Sequence, residues 1–263
     1  MAGRTKIKQE AMPSLLERYE LKYLIPEDMV EPISKFVEIY CNKDYYSQTN
    51  PSGFYTVKNL YFDTPFFLFL KKRQEGAETK FNMRVRKYKE GQEYFLEIKQ
   101  KRGMLVRKHR GCVCDPLWHK KLYEPEMKNT KEDLFYRTAL AYNAEPKILT
   151  QYKRKAYISN VEYYARVTFD KELMFSEPDG YDFDVQSEMM RHYDFENIFN
   201  NGCSIILELK CYTDYVPLWM IDLIRTFELK KTRFSKYATG IFELLNTTGY
   251  AVSSRNSRGY LYD

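Results

Sequence analysis

Polar and apolar residues alternate one by one through much of the chain, and this beat predicts strands. In Glu17–Ile25 (ERYELKYLI), Arg18, Glu20 and Lys22 share one face, and Tyr19, Leu21 and Tyr23 share the other. In Thr79–Tyr88, Arg84 and Arg86 oppose Met83 and Val85, and in Glu93–Lys101, Glu97 and Lys99 oppose Leu96 and Ile98. In Tyr163–Leu173, Arg166, Thr168 and Asp170 oppose Val167 and Phe169; in Cys203–Cys211, Glu208 and Lys210 oppose Leu207 and Leu209. Pro146–Ile158 puts Tyr152 in phase with Arg154. Met104–Val113 puts Lys108 in phase with Arg110, and a slip of one residue would present Arg107 and His109 instead. Phe54–Asp63 is a further strand, entered from a loop holding Asn50, Pro51 and Gly53. Tight turns at Glu90-Gly91 and Arg102-Gly103 join three of the strands into an antiparallel meander.

Elsewhere the period lengthens to that of a helix. Pro26 stops the first strand, and Val30, Ile33, Phe36, Val37 and Tyr40 then recur at helical spacing behind an acidic first turn. Pro65–Arg73 predicts a short helix and Pro116–Tyr142 a partly helical stretch; Pro217–Leu229 and Phe234–Leu245 predict two closing helices. The polar start (residues 1–14) and the Ser-, Arg- and Gly-containing tail (247–263) predict loose ends around a single domain over 15–246, since no linker interrupts it. Leu96-Glu97-Ile98-Lys99 is echoed by Leu207-Glu208-Leu209-Lys210, too short a match to establish a duplication.

Composition narrows the classes. The chain has 263 residues, 42 basic against 36 acidic, and 16% aromatics, which is too apolar for disorder. No apolar run approaches the roughly 20 residues of a membrane span. The opening MAGRTKIKQE has no apolar stretch behind its basic residues, so no signal peptide is expected. Cys41, Cys112, Cys114, Cys203 and Cys211 lack CxxC spacing and read as free thiols of a cytoplasmic protein. His109, His119 and His192 are scattered, no nucleophile triad can be assembled, and neither GxGxxG nor GxxxxGK[ST] occurs. The mild basic excess has no long Lys/Arg run, so nucleic acid is not an expected partner.

A half-buried sheet with one wet face explains any single strand. Across all of them the polar face is dominated by Arg and Lys with single spaced Glu residues, while several amphipathic helices need an apolar surface to cover. Helices laid on the outside of a closed sheet would turn the charged faces inward, towards a lumen. Crowded cations require an anion: Arg offers a bidentate fork to phosphate, Lys a compact charge, and interspersed Glu suits a hard divalent cation. The expected ligand is a multiply charged, phosphate-rich anion with Mn²⁺ or Mg²⁺.

The ordered segments RYELKYLI, LYFDT, MRVRKY, FLEIKQK, YKRKAY, ARVTFD, ILELK and FSKYATGI, from about Arg18 to about Leu245, resemble the VTC domain. This is the polyphosphate-polymerase domain of the vacuolar transporter chaperone family, within the triphosphate tunnel (CYTH-like) metalloenzymes. The resemblance implies an α+β fold, an antiparallel β-barrel tunnel with a basic lumen flanked by helices. It implies metal-dependent transfer of the ATP γ-phosphate to a growing polyphosphate chain. Carried over by position, Lys22, Arg84, Arg86, Lys99, Arg154 and Arg166 would act on the transferring phosphates. Arg18, Lys108, Arg110, Tyr152, Lys210, Arg233, Ser235 and Lys236 would bind phosphate, and Glu208, Glu20 and Glu97 would hold Mn²⁺ or Mg²⁺. ATP and polyphosphate, or triphosphate, are the implied partners of a monomer without a membrane span, and any membrane association would go through another protein. Hydrolytic relatives open with ExExK; here Arg18 replaces the first carboxylate, which points away from a triphosphatase. A tri- or polyphosphatase and a non-catalytic polyphosphate or inositol phosphate binder are the competing readings. Glu97 divides evenly between a metal role and pairing with a neighbouring Arg. Asp170 is expected to end its strand, and Asp63 to serve the turn before Pro65.

Overall fold

The computed structural model describes residues 15–88, 91–103, 105–123, 130, 132–193, 204–212 and 215–247. The expected loose ends, 1–14 and the tail beyond Thr247, lie outside the described residues, as does Cys203. Eleven strands form one antiparallel sheet: β1 (Leu15–Ile25), β2 (Cys41–Lys43), β3 (Tyr55–Asp63), β4 (Thr79–Tyr88), β5 (Tyr94–Arg102), β6 (Leu105–Val113), β7 (Glu145–Ser159), β8 (Ala165–Ser176), β9 (Arg191–His192), β10 (Ile205–Tyr212) and β11 (Lys231–Thr232). The helices are α1 (Val30–Glu38), α2 (Tyr45–Thr49), α3 (Leu68–Gln74), α4 (Asp133–Tyr142), α5 (Leu218–Thr226) and α6 (Lys236–Thr247). The fold is α+β.

The pairings run β7-β3-β4-β5-β6-β1-β10-β8, and β8 pairs again with β7. This circuit makes a tunnel. It is not sealed along its whole length, because β6 and β1 share only the register from Leu15 opposite Arg107 to Glu17 opposite Leu105. Farther along, β1 takes β11 as its neighbour, at Lys22 and Tyr23.

Apolar strand faces point outward, where the helices cover them. Ile33 and Val37 of α1 and Trp219, Met220 and Leu223 of α5 pack on Tyr23, Val167, Phe169, Leu207 and Leu209. Phe135, Tyr136 and Ala139 of α4, with Trp118, pack on Leu60, Met83, Val85, Leu96 and Ile98. Each such fully buried side chain contributes about 1.5–3 kcal/mol. Helix α6 differs. Its Tyr237 stacks on the tunnel-side Tyr61, while Ala238 and Ile241 join the cluster of Ile148 and Phe175.

Elements β2 and α2 lie where the alternation predicted only loop. Hydrophobic period does not make them. Asp44 does, by accepting from Ser47 N at 2.9 Å as an N-cap, while its own N–H donates to Ala156 O of β7 at 2.9 Å.

Candidate functional site

Strand register gathers the charged residues onto the inner surface. Arg84 lies opposite Glu97 and Glu97 opposite Arg110, while Lys22 faces Glu208, Glu20 faces Lys210, Lys210 faces Arg166, and Asp170 faces Arg154. The register of β6 is settled by contact. Lys108 and Arg110 both reach Glu97, so Arg107 and His109 take the other face.

Three carboxylate-centred groups organise this surface. The first is Glu97, 2% exposed, which meets Arg84 at 2.7 Å, Lys108 at 2.7 Å, Arg110 at 3.4 Å and Arg86 at 3.7 Å. Burial alone would raise its pKa; Arg86, Arg84, Lys108 and Arg110 outweigh that and hold it well below the usual carboxylate range. Arg84 also donates to Tyr61 Oη at 3.1 Å and Arg86 to Asn59 Oδ1 at 3.0 Å. Arg110 lies over the Phe95 ring at 3.8 Å.

The second is Asp170, which sits in the middle of β8 rather than ending it, because the strand continues to Ser176. It accepts both Nε and Nη2 of Arg154 at 2.7 Å, and Nζ of Lys236 at 2.6 Å. Arg154 and Lys236 both lie over the Tyr152 ring, at 5.2 and 4.6 Å.

The third joins Glu20 and Glu208, which lie diagonally across β1 and β10. Lys99 hydrogen-bonds Glu20, Arg18 approaches it at 3.3 Å, and Lys210 meets Glu208 at 2.8 Å. Burial would raise Glu20, but Lys99 and Lys210 overcome both that and the neighbouring Glu208 charge, leaving it at about 2. Lys22 donates to Phe234 O at 2.7 Å, and burial pushes its pKa down. Burial likewise takes Lys210 to about 8 against the pull of Glu208, and Lys108 to about 7 against that of Glu97.

The remaining expected residues are less tightly engaged. Arg166 is 3.7 Å from Asp44. Ser235 begins α6, its Oγ accepting from Ala238 N at 3.3 Å. Arg233 is exposed, at the edge of the tunnel near Lys80 rather than inside. Asp63 does serve the turn: it is fully buried, accepts from Thr64 N, Phe69 N and Leu70 N, and takes the Tyr237 hydroxyl at 2.6 Å. Arg73 of α3 was not foreseen. It reaches Asn82 Oδ1 at 2.7 Å, and nothing in a short amphipathic helix marks one basic residue of three as inward. Asn59 and Tyr61 were readable, being in phase with Asp63 on β3.

Among the described residues, twelve inward cations, Arg73 included, thus face Glu20, Glu97, Asp170 and Glu208. The buried Nε donors of Arg18, Arg73 and Arg166 have no hydrogen-bond partner among the described residues. Such donors are costly to leave unmet, and phosphate oxygens match them. Glu20 and Glu208 fit a hard divalent cation. They are close, ionised and oxygen-bearing, and Mg²⁺-type sites use one or two carboxylates plus substrate phosphates. No cluster of three or more His, Cys, Asp or Glu converges among the described residues, so most of the ligands would have to come from phosphate or water. Glu97 has the setting of a counter-ion instead, with four cations around its oxygens.

No curated protein matches the chain. Among solved structures, a candidate adenylate cyclase from Bacillus halodurans is similar at 14% identity and TM-score 0.49, covering 85% of this chain and 96% of its own. A protein from Pyrococcus horikoshii is similar at 12% identity and TM-score 0.45, covering 88% and 99%. A candidate adenylyl cyclase from Hippeastrum, described as having a dominant triphosphatase activity, is similar at 12% identity and TM-score 0.38, covering 83% and 92%. The VTC domain family model matches residues 17–245. With that span covering every strand of the circuit and the first helical turns of α6, the chain belongs to the VTC domain family.

Proposed function

We propose that the tunnel transfers the γ-phosphate of ATP to the end of a polyphosphate chain. The observation that carries this reading is the excess of inward cations over carboxylates, together with buried arginine donors that lack acceptors. A linear polyphosphate supplies acceptor oxygens at regular spacing along such a bore.

Phosphoryl transfer needs position and electrostatics more than a strong base. An oxygen of the chain's terminal phosphate attacks the γ-phosphorus, the bond to the β–γ bridging oxygen breaks, and ADP leaves with that electron pair. Arg84 and Arg86, steered by Glu97, would bind the equatorial oxygens from one wall. Arg154 and Lys236, aimed by Asp170, would do so from β7, one strand away across β3, and from the start of α6. Lys22, Lys99 and Arg166 would neutralise charge on the leaving diphosphate, while Arg18, Lys108, Arg110, Lys210, Tyr152 and Ser235 line the flanking path. Mn²⁺ or Mg²⁺, held by Glu208 and Glu20, would supply charge neutralisation on the phosphate oxygens.

Hydrolysis is less well supported. A water nucleophile wants a carboxylate free to orient it, and Glu97 and Asp170 are each held between cations, while Arg18 stands 3.3 Å from Glu20. No described helix is long and apolar enough to cross a membrane. The unpaired thiols of Cys41, Cys112, Cys114 and Cys211 suit the reducing cytoplasm, where we place the protein as a monomer, with any membrane partner a separate chain. Incubation with ATP and Mn²⁺ followed by gel separation is the test. A ladder of lengthening chains is expected; orthophosphate alone would make it a hydrolase, and bound but unconsumed ATP a binding module.

A further inference from the structure

The row of inward residues on β4 and β5 continues beyond the groups described above. Outward from Arg84–Glu97 the next rung is Asn82 opposite Lys99, and the next is Lys80 opposite Lys101. Alternation keeps both lysines on the tunnel side, at its mouth. Like charges directly opposite each other on adjacent strands are unfavourable; the inner like pairs, Lys99 opposite Lys108 and Lys210 opposite Arg166, each have carboxylate partners in Glu20, Glu97, Glu208 and Asp44. Glu78 could have relieved the pair, but it turns to Arg102 at 3.4 Å. No carboxylate among the described residues lies within ion-pair distance of Lys80, Lys101 or Arg233. Burial and the nearby Arg73, Lys101 and Arg233 push the Lys80 ammonium below its ordinary pKa, which places three more cations around it.

The opposite mouth has another character. Tyr55, Tyr88 and Phe95 end the inner rows there, Tyr46 of α2 stacks on Tyr88 at 4.6 Å, and Asp44 takes the Tyr55 hydroxyl. A polyanion leaving by that end meets rings and a carboxylate, and the cations there are already engaged, Arg110 by Glu97 and the Phe95 ring and Arg166 by Asp44. At the other end it meets uncompensated positive charge, over the β4–β5 edge. Helix α6 stands on the β7 and β8 side.

We propose that Lys80 and Lys101, with Arg233, form a second phosphate subsite at this mouth, which holds the distal phosphates of a chain too long for the bore. The proposal rests on the phosphate-binding reading of the tunnel and adds a chain-length preference to it. On this reading the inner groups alone hold a triphosphate, and only a longer chain extends to the mouth. The site also gives the tunnel a direction, with the growing product emerging over Lys80 and Lys101.

The test is calorimetric titration of the full chain and of a Lys80→Gln/Lys101→Gln double variant with tripolyphosphate and, separately, with long-chain polyphosphate. Matching thermal melts of the two proteins establish that the variant folds. Neutralising two solvent-accessible ammonium groups should weaken long-chain binding by about tenfold. Tripolyphosphate should weaken far less, and the salt dependence of long-chain binding should become shallower. Equal weakening of both ligands, or none for the long chain, would overturn the mouth subsite while leaving the tunnel reading intact. If the unaltered protein bound neither ligand, the tunnel reading itself would fall, and this subsite with it.

Discussion

Asp170 grips the Nε–Nη2 edge of Arg154 with both carboxylate oxygens, at 2.7 Å each, from the facing position on the next strand. The same carboxylate holds Lys236, which arrives from the start of a helix 66 residues later in the chain. One buried acid therefore fixes two cations from separate elements against the Tyr152 ring.

Removing that acid leaves two buried cations without a counter-charge. Asp170→Ala should lower stability by about 3–5 kcal/mol, the usual cost of breaking a buried pair from one side. Urea denaturation measures it. Added polyphosphate should restore part of the loss by giving Arg154 and Lys236 another anion. A midpoint indistinguishable from that of the parent protein would show that Asp170 is not what holds these side chains.

Acid should unfold the protein by way of the same inner carboxylates. Burial opposes the charged form of Glu20, Glu97, Asp170 and Glu208, yet their cationic neighbours keep all four pKa values depressed. As pH drops below the unfolded carboxylate range near about 4, the unfolded chain takes up protons that the folded chain refuses. The stability they contribute is present above that range and is lost on the way down, for Glu20 through about pH 2. Denaturation midpoints that stay flat from pH 5 to about 2 would contradict this account.

The lysines act with the same sign at higher pH. Lys108 and Lys210 are depressed to about 7 and about 8, burial being the first cause in each. From there up to the ordinary lysine value near about 10.4, the unfolded chain holds protons that the folded chain has released, so stability of the ligand-free protein gains with rising pH from these two groups. A phosphate anion beside them favours the charged form, so binding near pH 8 should take up protons. Calorimetry in two buffers of different ionisation enthalpy detects that uptake, and identical heats in both would rule it out.

Much of this was legible from alternation because strand geometry leaves little choice: once Leu207 and Leu209 must face the helices, Glu208 and Lys210 must face the bore. The boundaries of β4 agree with the expected Thr79–Tyr88 for the same reason. The register of β6 was not legible, since both faces of LVRKHR are basic, and only the contacts to Glu97 decide it. The role of Glu97 itself was beyond periodicity. Its motif, Leu-Glu-Ile-Lys, echoes that of Glu208, yet the neighbouring strands bring four cations to the first, whereas the second pairs with Lys210 of its own strand and faces only Lys22 on β1. Tertiary pairing sets that difference. Arg73 and α2 were missed because a helix of seven residues or fewer carries too little pattern to tell which face is buried.

The contrast between the two glutamates can be tested directly. Glu208→Gln and Glu20→Gln remove a hard oxygen charge from the pair that fits a divalent cation, and each should raise the Mn²⁺ concentration needed for half-maximal activity by about tenfold or more. Glu97→Gln should leave the Mn²⁺ requirement nearly unchanged and instead lower stability by about 3–5 kcal/mol, as Arg84, Arg86, Lys108 and Arg110 lose their shared anion. Paired Mn²⁺ titrations and denaturation curves read both effects. A Mn²⁺ requirement that moves most in the Glu97 variant would reverse the assignment.

Helix α6 can present Lys236 to Asp170 only because it lies very close to the sheet. At Gly240, one turn after Lys236, a Cβ would stand 2.4 Å from Ile148 Cδ1 and 2.5 Å from Phe175 Cδ1. Both neighbours are fully buried and have no room to retreat. Gly240→Ala would ordinarily favour a helix by about 1 kcal/mol. Here overpacking should dominate, costing about 1–3 kcal/mol and pushing the helix away from β7 and β8. That displacement draws Lys236 off Asp170 and Tyr152, so phosphate affinity should fall together with stability, although Gly240 touches no phosphate. Melting temperature and tripolyphosphate affinity measured on the same variant check the coupling; a more stable protein with unchanged affinity would mean that the helix has slack at this contact.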